Sequence, residues 1–368
     1  MTNLWTRREL LAALAAAPLA AKQSADPSAP GATPQPPKPA PLLDIHIHLF
    51  GAGDGGSGCR IAESLKKSAM FQYLAGKFGK STGAKSLDEA YVQLLFGQLR
   101  SSGLDKGVIL AQDAVYDRLG KPDWDRTPFY VPNDYVFQVA TRDPQRIIPC
   151  VSINPDRADA LEELDRCAKL GARVLKIHAP IQGVDVADKK HAKFFQHCAD
   201  KRVLVMVHTG HEHSAPVVNI DLADPRRLRL ALDQGCTVVA CHCGTGWMTD
   251  KPDLLPAFFE MLQQHPNLWG DTSILGTVGR VRDVGRLLAH KPALERLVHG
   301  SDFPFPSQPV AFAPLVGWKG LGQLRRVQAM ANLLAQDLAL KDLLGMGRGC
   351  AERAHRLVLG SAGKVEAK

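Results

Sequence analysis

The chain has 368 residues and lacks any continuous apolar run of about 18 or more residues, which excludes a multi-span membrane protein. It also lacks a long Lys/Arg run. Its 45 Lys+Arg against 37 Asp+Glu leave a modest net charge of +8, which argues only weakly for nucleic acid. No Cys-x-x-Cys pair occurs among its 8 cysteines, and several of these sit in apolar runs where a thiol acts as a small buried residue, so few or no bridges are expected. Charged residues are held to 22% and apolar residues reach 45%, an ordinary balance that excludes wholesale disorder and can fill a sizeable core. Against these absences stand 13 histidines.

The first 41 residues read as an address and a tether. Arg7 and Arg8 precede a Leu/Ala-rich run, Leu10 to Ala20, which is too short for an ordinary span and ends among small residues. Residues 1–21 resemble a bacterial twin-arginine export signal, with Leu10 where Phe is commoner. The resemblance implies export of a folded protein to the periplasm and contact with the export machinery. A frayed amphipathic helix or an uncleaved anchor is the alternative. Residues 22–41, rich in Pro and Ala, form a linker with no apolar face to bury. Losing residues 1–21 removes Arg7, Arg8 and Glu9, so the basic balance belongs to the mature part.

From residue 42 to 360 short Val/Ile/Leu runs alternate with helical patterns. Strands are expected at Leu43–His48, Gly107–Ala111, Ile147–Ile153, Arg173–His178, Val203–His208, Thr237–His242, Leu268–Thr272 and Arg296–Ser301. Helical spacing lies between several of them, for instance Ala158–Leu170 before Gly171. Eight such units imply an α/β fold, a distorted (β/α)8 TIM barrel. The long connection from Leu49 to Leu104 begins with Gly51-Ala52-Gly53-Asp54-Gly55-Gly56, mobile by composition. It reads as a helical insertion over the barrel mouth after the first strand. Residues 361–368 form a tail.

The histidines end the strands. His46 and His48 end the first, His178 the fourth, His208 the fifth and His242 the sixth, while Asp302 ends the eighth. In a parallel barrel these ends gather on the face where barrel active sites lie. Alternation sends His46 and His48 together into the mouth and Ile45 and Ile47 toward the helices. It puts Lys176 beside His178, and it turns Cys241 and Cys243 outward if His242 points in. Imidazole and carboxylate ligands suit zinc, manganese or iron, and three His with one Asp leave room for water, as in an open catalytic site. His299 has the opposite parity to Asp302 and is expected to face the helices. His191, His197, His265, His290 and His355 read as surface residues. The His211-Glu212-His213 run reads as a solvated loop or as a contact to substrate or a second metal. Asp271-Thr272-Ser273 either positions substrate or satisfies backbone groups at a turn.

Asp44-Ile45-His46-Ile47-His48, Lys176-Ile177-His178, Val207-His208-Thr209-Gly210, Cys241-His242-Cys243-Gly244 and Gly300-Ser301-Asp302-Phe303-Pro304 together resemble the amidohydrolase-related family. This branch of the amidohydrolase superfamily holds metal-dependent hydrolases and non-oxidative decarboxylases. The resemblance runs from about Leu42 to Gly360. It implies a divalent metal, usually zinc, with His46, His48, His208 and Asp302 as ligands. It also implies that His242 acts beside the metal, polarising or deprotonating the water, while Asp302 both binds metal and accepts a proton. In two-metal members of the superfamily a strand-four lysine can bridge the ions. Lys176 lies two residues before the strand end, and a buried salt bridge or a substrate contact is its alternative. His178 is either a site-lining or a structural hydrogen-bonding residue.

The leading expectation is an exported metal-dependent hydrolase acting on an amide, ester or lactone-like small molecule. A decarboxylase of an aromatic or unsaturated carboxylate uses the same parts. A non-catalytic periplasmic metal or ligand binder is the reading from another class. No nucleic-acid partner is expected, and a homo-oligomer is compatible with the sequence.

Overall fold

Val, Ile and Leu occupy the strand runs because a parallel strand is covered on both faces and its β-branched side chains pack well on a pleated surface. A computed structural model describes residues 39–67, 71–72, 76 and 83–360. The signal at 1–21, all but the end of the 22–41 linker and the 361–368 tail lie outside the described residues. Eight strands form one parallel sheet, each paired with the next: β1 (Leu43–His48), β2 (Lys106–Leu110), β3 (Ile147–Ser152), β4 (Val174–Ile177), β5 (Leu204–His208), β6 (Val238–Cys241), β7 (Leu268–Asp271) and β8 (Leu297–Val298). The last segment returns to the first. Ile45 N donates to His299 O, Asp302 N to His46 O and His48 N to Phe303 O, each at 2.9 Å. The result is a nearly closed (β/α)8 barrel, as the alternation of strands and helices predicts.

Side chains from alternate strand positions fill the barrel: Leu43, Val108, Val174, Met206, Val239 and Val298 meet inside. Their neighbours Leu175, Val205, Val207 and Val238 face outward onto Leu164, Phe195 and Phe258 of the surrounding helices. Alternation fails in β1. In β1, Asp44 pairs with Gly107 and Ile47 with Ile109, so Ile45 and His46 together face the single residue Val108. This is a bulge, which places two residues opposite one and resets parity. Ile45 therefore joins the interior, not the helix layer, while Ile47 packs outward. Cys241 also lies inside, with Val239.

The connection after β1 carries the expected helices at Glu63–Lys66 and α1 (Leu87–Arg100) among its described residues. Its glycine run is not loose. Asp88 Oδ1 accepts from Ala52 N (2.6 Å) and Gly53 N (3.1 Å), and Asp88 Oδ2 from Gly55 N (2.9 Å). Asp54 returns the favour by accepting from Leu87 N at 2.9 Å and Asp88 N at 3.2 Å. The run has the Gly-x-Gly-x-x-Gly spacing whose amides cradle phosphates elsewhere. Here an internal carboxylate takes those amides. His191 and His265 are buried, not on the surface. All eight cysteines are buried and unbridged.

Helix α2 (Leu333–Leu343) braces the segment between β8 and Asp302. Its buried Lys341 donates to Asp337 Oδ2 at 2.5 Å and to Gly300 O at 2.6 Å, and Ser307 Oγ donates to Asp337 Oδ1 at 2.7 Å. Lys341→Met leaves Asp337 buried without its cation, and an expected loss of about 3–5 kcal/mol follows. Urea unfolding measures it, and adding Asp337→Leu is expected to restore most of the loss.

Candidate active site

His46 and His48 stand in β1 and His208 closes β5. His178 follows β4 and precedes the short helix Ala179–Gln182. His242 lies one residue beyond β6, in the turn His242–Gly244, and Asp302 lies in the loop after β8. All of these, with Lys176, line one cavity together with Phe50, Glu212 and Phe305. His242 and Asp302 have φ of 63° and 67°, in the left-handed region that L side chains rarely adopt. The turn at His242 explains why Cys241 and His242, although adjacent, both point inward.

The cavity floor is organised by carboxylates. Asp271, the last residue of β7, holds His46 Nδ1 at 2.7 Å. Its other oxygen accepts from His242 N (2.8 Å) and Ser273 N (3.1 Å), and from Ser273 Oγ. Burial works against ionisation of Asp271, but His46, His242 and Lys176 outweigh it and hold the carboxyl well below its ordinary range. Asp302 Oδ1 lies 3.1 Å from both His46 Nε2 and His48 Nε2. Burial again opposes the charge, yet His46, His48 and His242 keep Asp302 well below the usual carboxylate range. Lys176 Nζ lies 3.4 Å from His46 Nε2 and 3.0 Å from Cys241 Sγ.

These partners test whether a cation fits. Burial first, and the nearby Lys176 second, push His46 down to about 3, so its ring is neutral. Its proton goes to Nδ1, facing ionised Asp271. Its Nε2 lone pair then faces an ionised carboxylate oxygen 3.1 Å away, with the Lys176 amino group at 3.4 Å on the same nitrogen. A lone pair and a carboxylate oxygen turned toward each other suit a cation, and a carboxylate on the other ring nitrogen, as Asp271 is on His46, is how metal-binding imidazoles are oriented. His46, His48 and Asp302 have donor atoms within 4.8 Å of one another. His208 does not fall inside that group. Both of its ring nitrogens are buried without a hydrogen-bond partner, and burial, with His178 and His242, holds it well below its ordinary value, so it too is a neutral imidazole. The donor set fits a divalent metal.

His208 belongs to a second cluster. Its ring stacks on His178 at 4.0 Å, and Glu212 Oε2 lies 3.1 Å from His178 Nε2 and 3.8 Å from His208 Nδ1. Burial disfavours the Glu212 charge, but hydrogen bonds from His178 and Ser214 bring it down to about 2. Glu212 is thus a buried member of the site, not part of a solvated loop. No periodicity announces it, since it lies in a loop; only its place four residues after His208 offers a clue. Asp271 is legible in the sequence as part of the strand-end group Asp271-Thr272-Ser273, although not as the partner of His46. His299 is fully buried, with its Nε2 3.9 Å from Asp44 Oδ2, away from the cavity.

The profile of the amidohydrolase family (Amidohydro_2) matches residues 102–330, more than half of the chain. The chain belongs to the amidohydrolase family. No curated protein matches this family member. Among solved structures it is similar to an uncharacterized TIM-barrel protein of Bordetella bronchiseptica, with TM-score 0.55 and 18% identity over 88% of this chain and 99% of that one. It is also similar to 2,6-dihydroxybenzoate decarboxylase from Rhizobium, with TM-score 0.49 and 14% identity over 88% and 99% of the two chains. A Pseudomonas putida protein with the provisional name 2-pyrone-4,6-dicarboxylic acid hydrolase gives TM-score 0.45 and 18% identity over 83% and 98%. The first of these likenesses speaks for the barrel alone.

In this family member Asp271→Asn removes the charge that fixes the proton of His46 on Nδ1. Divalent-metal affinity is expected to fall about 10–100-fold, as read by competition with a chromophoric chelator. Unchanged affinity would refute the orienting role of Asp271.

Proposed function

We propose that the chain is a metal-dependent hydrolase of a small amide, ester or lactone-like substrate. The observation that carries this reading is the convergence of His46 Nε2 and His48 Nε2 on one oxygen of Asp302, each at 3.1 Å, beside a neutral His242. His46, His48, His208 and Asp302 would hold the ion, zinc in the first place and manganese or iron in the second. When bound, the ion supplies Lewis acidity, lowering the pKa of water from 15.7 to about 7 and polarising a carbonyl.

The chain's own groups handle protons and orientation. His242 Nδ1 is 3.2 Å from the carbonyl of Ser273, which only accepts, so the ring proton sits on Nδ1 and the lone pair on Nε2. Ser273 Oγ lies 2.8 Å from the same nitrogen and donates to Asp271. Burial holds His242 below its ordinary value and keeps it neutral, although Asp302 and Asp271 pull the other way. His242 is therefore set as a general base, taking a proton from water at Nε2 and passing it to the leaving group. Asp302 is the second proton acceptor, through the oxygen that does not face the two imidazoles. Phe50 and Phe305 wall the cavity and limit water around the reacting atoms.

Lys176 favours a second reading. Its amino group lines the same cavity from the barrel floor and suits the carboxylate of an unsaturated acid that loses carbon dioxide. Metal analysis combined with a panel of esters, lactones, amides and aromatic acids tests both readings. About one divalent ion per chain is expected, with turnover that Asp302→Asn abolishes while the fold survives. A folded, metal-free protein that binds no divalent ion sinks both readings, and bound metal without turnover supports a non-catalytic binder. We also propose export to the periplasm, on the strength of Arg7, Arg8 and the Leu10–Ala20 run. Fractionation of cells making the full chain tests this, and retention of the Arg7→Lys, Arg8→Lys double variant in the cytoplasm is the expected outcome.

A further inference from the structure

From Phe303 to Gln336 the chain contains no Asp or Glu, and its only charged residues are Lys319, Arg325 and Arg326. All three stand on the helix Ala313–Gln328 and all three are exposed. Their side chains make no ion pair or hydrogen bond among the described residues. Arg142, Arg226 and Arg286, by contrast, each find a surface carboxylate within 3 Å, on Glu89, Asp224 and Asp253. The same helix carries Trp318, which is 91% exposed, the most of any large apolar side chain among the described residues. An indole is rarely left in water, because its ring gains by leaving water and its N–H needs only one polar partner.

The backbone explains why these groups share a surface. Gly317 breaks the helix with φ of 65° and ψ of −176°, a conformation that suits glycine. A Cβ there would meet nothing within 4 Å, so the conformation and not crowding selects the glycine. Trp318 opens the run that follows. Gly322, Arg325 and Arg326 recur at helical spacing from it, with Lys319 and Gln323 alongside, so the exposed residues form one face. Gly320 and Leu324 are buried and Leu321 and Val327 pack on the core, which docks the opposite face onto the barrel. At the far end of the helix, Gln328 Oε1 accepts from the amide of Val310 at 3.4 Å, and Val310 is 51% exposed. Cations thus stand between an exposed aromatic at one end and an exposed aliphatic residue at the other.

We propose that this helix face is a docking surface for an anionic phospholipid membrane. The proposal rests on neither the hydrolase reading nor the export reading. Trp318 enters the headgroup layer, where an amphipathic ring has an apolar side and a wet side. Lys319, Arg325 and Arg326 meet the lipid phosphates, which supply the counter-charge that the protein does not. No described helix is long and apolar enough to cross a membrane, so the contact is with its surface. A second copy of the chain fits less well, because a two-fold contact would set this acid-free face against itself, cation on cation. A nucleic acid offers the phosphates but no apolar layer for Val310.

Co-sedimentation with vesicles tests the proposal. The full chain carries Leu11→Asp and Leu14→Asp, so that the N-terminal apolar run does not itself seat in lipid. Vesicles of phosphatidylglycerol mixed with phosphatidylcholine are expected to bind it at least about tenfold more tightly than phosphatidylcholine alone, and less tightly as salt rises. Each of Lys319→Gln, Arg325→Gln and Arg326→Gln is expected to weaken that binding about fivefold. Trp318→Ala is expected to weaken it roughly tenfold. Lys169→Gln with Leu170→Ala, an exposed cation and apolar pair at the end of another helix, is expected to behave as the parent. Circular dichroism confirms that each variant is folded, as exposed positions allow. Equal binding to both kinds of vesicle, undiminished binding by the triple glutamine variant, or an equal loss in the Lys169, Leu170 control would each overturn the proposal. So would an oligonucleotide that displaces the vesicles at equal phosphate concentration, or a lipid-free dimer that Trp318→Ala dissociates, since either assigns the face to another occupant.

Discussion

The amide of Asp302 donates to the carbonyl of His46 at 2.9 Å, across the seam where the last strand segment meets the first. This backbone bond is central to the closure of the barrel and at the same time ties the backbones of two candidate ligands together. Flanking it, Ile45 N–His299 O and His48 N–Phe303 O extend the seam on both sides. Asp44 adds a side-chain tie, accepting from both His46 N (2.9 Å) and Ser301 N (3.0 Å). The site is thus not decoration on a finished scaffold. Any opening of the barrel at this seam separates His46 and His48 from Asp302, so site geometry and fold closure share one free energy.

Much of this was legible in the sequence because parallel barrels obey two simple rules. Strands alternate with helices, and strand ends gather on one face. The eight strand positions follow from the first rule, and the convergence of His46, His48, His178, His208, His242 and Asp302 on one cavity follows from the second. What escaped was whatever breaks strict alternation. The β1 bulge sends Ile45 inward beside His46, and nothing in Asp44-Ile45-His46 marks an extra residue. Cys241 lies inside in step with Val239, and the left-handed turn at His242 turns the next side chain inward as well, which parity does not allow for. Glu212 escaped for a different reason. Loop residues have no period, and a buried carboxylate on a loop looks like a solvated one until its partner, His178, is seen.

The electrostatics divide the work between residues with similar formulae. Asp271 and Asp302 are both buried and both held well below the usual carboxylate range. Asp271 spends its oxygens on His46, the His242 amide and Ser273, and is used up as a positioning group. Asp302 faces two imidazole nitrogens and the cavity, and keeps capacity for chemistry. The histidines divide likewise. His46 is locked by a carboxylate and His242 by a carbonyl and a hydroxyl, while His208 is buried with both nitrogens free.

His242 and Asp302 both stand at positive φ, a conformation that disfavours any side chain by about 1–2 kcal/mol and suits glycine. Random drift toward a more stable fold would therefore push toward glycine at these two positions. A lineage released from selection on these two residues would gain stability by losing His242 and Asp302. Such a barrel would keep its fold while these two turns changed first.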